Sequence, residues 1–221
     1  MDNEVLPGLA RLLAVCTKLG ARIVTTPPGK QSSLSFTRVD GMPLDPLLVA
    51  IYARLGSAMF AADIDGLGLF QVDDDVNELQ TRNAAVHEGW QENLFSSFLV
   101  FGGAPGLAHF YATVPALADE QGHQPVVWVN AYEQGYALPV ASTVDRLFDT
   151  YSRYLEELVA HEDFKEEGAA ALTFPWRTPH LLARDEHLVR LIKEGHFDRW
   201  LPGQEGRDWA GRVIKAHHDH F

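Results

Sequence analysis

The chain has 221 residues, of which 46% are hydrophobic and 22% charged, and its formal net charge is -12. This balance supplies material for a sizeable core and excludes a disordered or low-complexity chain. The single cysteine, Cys16, excludes an intramolecular disulfide.

The opening stretch MDNEVLPGLARLLAVC carries acidic residues where a secretory signal would carry positive charge, so a reducing cytoplasm is the expected location. The longest apolar run, LFSSFLVFGGAPGLAHFY, is interrupted by Ser, Gly and Pro. It falls short of the roughly 20 uninterrupted residues a membrane helix needs, and no membrane partner is expected.

The negative charge is concentrated in mid-chain. From Asp63 to Glu133 there are 11 acidic residues and one base, Arg82, whereas residues 1–62 and 174–221 are slightly positive. Such a segment repels a phosphate backbone and speeds encounter with a basic protein, so nucleic acid is not expected as a partner. The same charge also serves as a solvating face.

In chain order, LPGLARLLAVCTKLG predicts a helix with Leu6, Leu9, Leu13, Cys16 and Leu19 along one side and Gly20 as its stop, which makes Cys16 a core residue. ARIVTT, PPGKQSS and LSFTRVDG predict a strand, a turn and a returning strand, forming a hairpin. PLDPLLVAIYARLG predicts a helix with Asp45 as N-cap and Pro46 in its first turn. SAMFAADIDGLGLFQ reads as two short strands around Asp65-Gly66. The next stretch, DDDVNELQTRNAAVHEGWQENL, reads as a helix whose first turn holds Asp73, Asp74 and Asp75, where carboxylates meet the positive end of the helix dipole.

FSSFLVFGG, GLAHFYATV and QPVVWVNAY predict three more strands, and a short strand leads to a helix of about 17 residues from Thr143. After Ala160 the sequence HEDFKEEGAAALTFPWRTPH reads as a loop packed by its aromatics. It is followed by a helix in HLLARDEHLVRLIKEG and a shorter one in GQEGRDWAGRVIKAHHDHF. Trp176, Trp200 and Trp209 are the expected anchors of this part, which is too small to bury a core alone. The resulting fold class is α+β: a mainly antiparallel or mixed, bent sheet with helices packed on it over residues 1–160, and a helical extension over residues 161–221.

Catalytic templates fail. Gly29-Lys30 is followed by Gln31 rather than Ser or Thr, Gln71 stands where a dinucleotide fingerprint needs its third glycine, and no G-x-S-x-G elbow occurs. His217, His218, Asp219 and His220 suit a metal by type, but adjacent residues at a chain end rarely converge on one ion, so no metal or cofactor is expected.

The order of elements through DIDGLGLF, FSSFLVFGG, GLAHFYA and PVVWVN, closing on YALPVASTVDRLFDTYSRYL, resembles the SUKH superfamily, which includes the Smi and Knr type cell-wall-synthesis regulators of fungi. The resemblance covers roughly residues 40 to 160. It implies a sheet covered by helices and, as in most bacterial members, an immunity protein that blocks a cognate toxin, frequently a nuclease. The run LAHFYATVPAL departs from the family at a strand position that is often polar or acidic.

The expectation is therefore a non-enzymatic binding protein, monomer or homodimer, that occludes the active site of a basic toxin. Asp73, Asp74, Asp75, Glu78, Asp119, Glu120 and Glu133 are its candidate partner-binding residues, chosen for charge and exposure. A regulatory scaffold of the Smi/Knr type is the alternative, and a small hydrolase using a carboxylate or histidine site is a third reading.

Overall fold

The computed structural model describes residues 6–29, 37–72, 76–89, 96–104, 106, 109–130, 137–201 and 203–220. Helix α1 (Pro7–Leu19) leads into β1 (Val24–Thr26), the hairpin β2 (Arg38–Val39) and β3 (Met42–Pro43), and α2 (Pro46–Tyr52). Strands β4 (Ser57–Phe60) and β5 (Leu67–Leu69) precede α3 (Glu78–Gly89). Then come β6 (Leu99–Gly103), β7 (His109–Thr113), β8 (Val126–Asn130), β9 (Ala137–Ala141) and α4 (Val144–Ala160). The remainder holds α5 (Phe164–Glu167), α6 (Pro179–Leu182), α7 (Glu186–Lys193) and α8 (Gly203–His220).

Seven strands form one sheet in the order β1-β4-β5-β6-β7-β8-β9, and every pairing is antiparallel. From β4 onward each strand lies beside its successor, so the α+β class expected from the sequence is observed as a meander with helices on its faces.

Helix α4 is the principal cover of the sheet. Thr143 caps it by accepting the Arg146 N–H, and Val144, Leu147, Phe148, Tyr151, Leu155 and Leu158 are buried at helical spacing. Phe148 meets Phe60 of β4 edge-on at 5.8 Å between ring centres. Helix α1 lies against α4, and its second residue must be small there: a Cβ on Gly8 would sit 1.9 Å from the Asp145 carbonyl oxygen. Cys16 is buried, as expected, and burial pushes its thiol pKa up. Leu13, placed on the apolar side by its spacing, is instead 36% exposed, while Leu12 and Val15 are buried.

Helix α3 is tied to β6 by one buried side chain. The Asn83 amide donates to the Val100 carbonyl at 2.7 Å and accepts the Val100 N–H at 2.9 Å, beside the register shift between Val100 and Gly102. A bulge frees backbone groups, and this amide occupies them. Helix α3 starts at Glu78 with Asn77 accepting the Gln80 N–H, so its first turn carries Glu78 rather than the acidic triplet.

The two Asp-Gly pairs behave differently. Asp40-Gly41 joins β2 and β3 as a two-residue turn, with φ of 47° and 79°, the geometry this dipeptide favours. Arg38–Val39 thus pairs with Met42–Pro43, and β1 pairs with β4, which replaces the hairpin expected between β1 and the returning strand. At Asp65-Gly66 the pair Phe60 and Leu67 leaves six residues in the connection, and the positive φ falls on Ala61, at 50°. Tertiary bonds to Asp65, described below, hold this longer loop in place of a tight turn.

Residues 161–220 pack on the main body. Trp200 and Trp209 are fully buried and Trp176 half-buried, and Trp200 and Trp176 meet the main-body rings of Phe98 and Trp128. Trp200 stacks at a tilt on Phe98, 5.0 Å between centres. The Asp185 carboxylate accepts the N–H of Leu188, capping α7, and that of Ser142 at the end of β9. This cap splits the single helix expected over HLLARDEHLVRLIKEG into α6 and α7. Helix α8, expected to be the shorter one, runs for 18 residues. Among the described residues no helix is long and apolar enough to cross a membrane.

Candidate functional site: an aromatic cavity around Asp65

The hairpin connection of β4 and β5 lies at the same end of the sheet as the connection of β6 and β7. On β7 and β8 the register pairs His109 with Asn130 and Tyr111 with Trp128. Residues two apart on a strand share a face, so these four side chains form one patch. Helix α4 supplies Tyr151 and Tyr154, three residues apart and therefore on one side of the helix. The loop after α5 supplies Thr173, Phe174 and Trp176. Together with Asp65 they enclose a cavity of about 470 Å³.

Its walls are two groups of rings, side by side where Tyr111 pairs with Trp128 across the strands. His109 lies 4.8 Å from Trp128, and Trp128 meets Trp176 edge-on at 6.4 Å. Phe174 contacts Tyr111, Tyr151 and Tyr154 at 6.4, 5.5 and 5.3 Å. Thr173 and Ala170 at the rim are exposed.

Asp65 is held by both tyrosines of α4. The Tyr151 hydroxyl donates to the Asp65 backbone carbonyl at 2.7 Å, and the Tyr154 hydroxyl oxygen lies 2.7 Å from Asp65 Oδ2 and 2.8 Å from the Leu172 carbonyl. A phenol has one hydrogen to give. Both contacts are satisfied together when Asp65 is protonated and donates to Tyr154, which then donates to Leu172. The Asp65 pKa is raised, chiefly because burial penalises the charged carboxylate, while the tyrosine bonds and His109 pull it down. Among the described residues the hydrogen bonds to this carboxyl come from the hydroxyls of Tyr154 and Tyr151 alone.

The opposite end of the sheet bears a broader groove of about 1080 Å³, lined by Arg146, Arg184, Arg190 and Lys193 among acidic neighbours. Two of its acids are already engaged. Asp145 accepts the N–H groups of Gly8 and Leu9, and Asp185 those of Ser142 and Leu188.

Of the residues selected from sequence, the described ones, Glu78, Asp119 and Glu120, fall elsewhere. Asp73, Asp74, Asp75 and Glu133 lie outside the described residues. Glu78 pairs with Arg82 at 3.1 Å and accepts the Gln71 N–H. Asp119 accepts the N–H groups of Gln121 and His123 in the turn between β7 and β8, and Glu120 beside it is exposed. Glu78, Asp119 and Glu120 therefore sit at the end of the sheet away from the cavity. At the chain end, His217 Nδ1 is 3.0 Å from the Ala183 carbonyl, and no three His, Cys, Asp or Glu among the described residues are grouped to hold a metal ion.

Sequence reasoning missed the cavity because five separate segments build it. Two signals were present: the alternation of His109 with Tyr111 and of Trp128 with Asn130, and the tyrosine pair on α4. No family model matches the chain, and no curated protein matches it.

Proposed function

We propose that this chain is a non-enzymatic recognition protein of the SUKH immunity type, which binds a cognate toxin and covers its active site. The observation that carries the reading is the ring-walled cavity at one end of the sheet. Tryptophan and tyrosine in a concave, partly desolvated patch are the residues that concentrate binding energy at protein interfaces. Tyr111 and Trp128 stand on strands and Tyr151 and Tyr154 on a long helix, so these rings are held in place before binding, which lowers the entropic cost of association. The acidic middle of the chain supports a basic partner, since Asp63, Glu88 and Glu120 are exposed.

The test is affinity capture of the tagged protein from its native cells at about 50 mM and about 500 mM salt, with the partner identified by mass spectrometry, because screening separates charge-driven partners from others. A single basic toxin-like protein, enriched at low salt and rendered harmless in cells by co-expression, is the expected result. Several housekeeping partners that persist without any toxin gene would replace this reading with the regulatory scaffold, and turnover of a small substrate would replace it with an enzyme.

A further inference from the structure

We propose that the cavity around Asp65 takes one cationic side chain, a guanidinium or an ammonium, from the partner protein. The inference rests on the recognition function above and names the chemistry of its contact.

The first ground is the walls. Trp128, Trp176, Tyr111 and Phe174 surround one space, and their ring faces carry the negative part of the aromatic quadrupole that attracts a desolvated cation. The second is acceptor capacity. Among the described residues the hydrogen bonds to the Asp65 carboxyl come only from the neutral hydroxyls of Tyr154 and Tyr151, which leave part of a carboxylate's acceptor capacity unused and its charge unbalanced. A neutral apolar group entering here would desolvate the carboxyl and offer it nothing in return. A cation supplies both a donor and a charge. The third is the absence of a competitor: among the described residues no lysine or arginine lines the cavity. The space is larger than one side chain requires, so the end of a long side chain enters with room for its stem.

Cation binding shifts Asp65 toward its ionised form, with Tyr154 donating to Oδ2. Among the described residues the titratable groups around Asp65 are Tyr151 and Tyr154 of α4 and Tyr111 and His109 of β7. The tyrosines stay neutral because burial raises their pKa values. Protonation of Asp65 opposes an incoming cation, so affinity falls as pH falls.

The experiment titrates the full chain with N-acetyl-arginine amide, N-acetyl-lysine amide and the neutral isostere N-acetyl-citrulline amide, following the indole N–H signals of Trp128 and Trp176 by NMR. One or both cationic probes should shift these signals with millimolar affinity, at least about 10-fold tighter than citrulline, and Asp65→Asn should remove that preference. Asp65→Asn keeps the side-chain shape, and an unchanged amide spectrum elsewhere shows that the variant is folded. Equal response to citrulline, no response up to about 50 mM, or an undiminished preference in Asp65→Asn overturns the cation site. The outcomes also separate this inference from the function it rests on. Toxin capture that survives Asp65→Asn leaves the recognition function standing and sinks the cation contact. A cation preference in a chain that captures no toxin does the reverse for the immunity reading.

Discussion

Both ends of the sheet carry a concave surface containing carboxylates, yet the carboxylates are in different states. In the basic-rimmed groove, Asp145 and Asp185 each hold two backbone N–H groups and so fix α1 to α4 and α7 to β9. In the aromatic cavity, Asp65 meets only neutral tyrosine hydroxyls among the described residues, which leave part of its acceptor capacity unused. An acid in a pocket therefore says little by itself; what distinguishes a recognition group from a structural one is the acceptor capacity left over after the fold has taken its share.

That comparison can be broken at several points. The largest effect is expected from Gly8→Ala, where the new Cβ would meet the Asp145 carbonyl and push α1 off α4; denaturant unfolding should show a loss of about 3 kcal/mol or more. Asp185→Ala leaves two N–H groups without their charged acceptor, on a residue only 4% exposed, and should cost about 2 to 3 kcal/mol in the same measurement. If this variant unfolds like the parent, the groove's acids are not committed to the fold. Asp145→Ala, at a less buried position, should cost about 1 kcal/mol.

Asp65→Asn should change stability least, by less than about 1 kcal/mol at neutral pH, because Tyr154 retains an acceptor. Its effect lies in the pH profile. A carboxyl whose folded pKa is raised contributes stability that is fully present below the ordinary aspartate value of about 3.9 and is lost as pH rises through the folded value. The difference in Tm between the parent and Asp65→Asn should therefore shrink or reverse from about pH 4 to about pH 7. Asp45, pushed up to about 6 by burial, titrates in the same direction in both proteins and cancels in the difference. A difference that stays flat across this range would show that Asp65 does not carry the raised pKa.

Helix α4 was legible because cap and apolar spacing agree over 17 residues. The meander was legible from its hydrophobic runs, and Asp45 was correctly read as the cap of α2, accepting the Leu47 and Leu48 N–H groups. What failed was non-local. Partner choice for β1 depends on a strand 31 residues further on, as the bond between Thr26 and Ser57 illustrates. The length of α8 was hidden because only Gly206, Trp209 and Val213 of its 18 residues are buried, too narrow a stripe for periodicity to report. The choice of contact residues by charge alone could not know that Asp119 and Glu78 would be drawn into local bonds.

The register of β7 against β8 bears on how such a protein can diverge. His109, Tyr111, Trp128 and Asn130 face the cavity, while Phe110 and Val129, their neighbours along the chain, point to the other side of the sheet. Replacing the four cavity positions changes the chemistry of the cavity while the opposite face keeps its packing. A gene duplicate could thereby present a different cavity through a handful of codon changes, with the scaffold left intact.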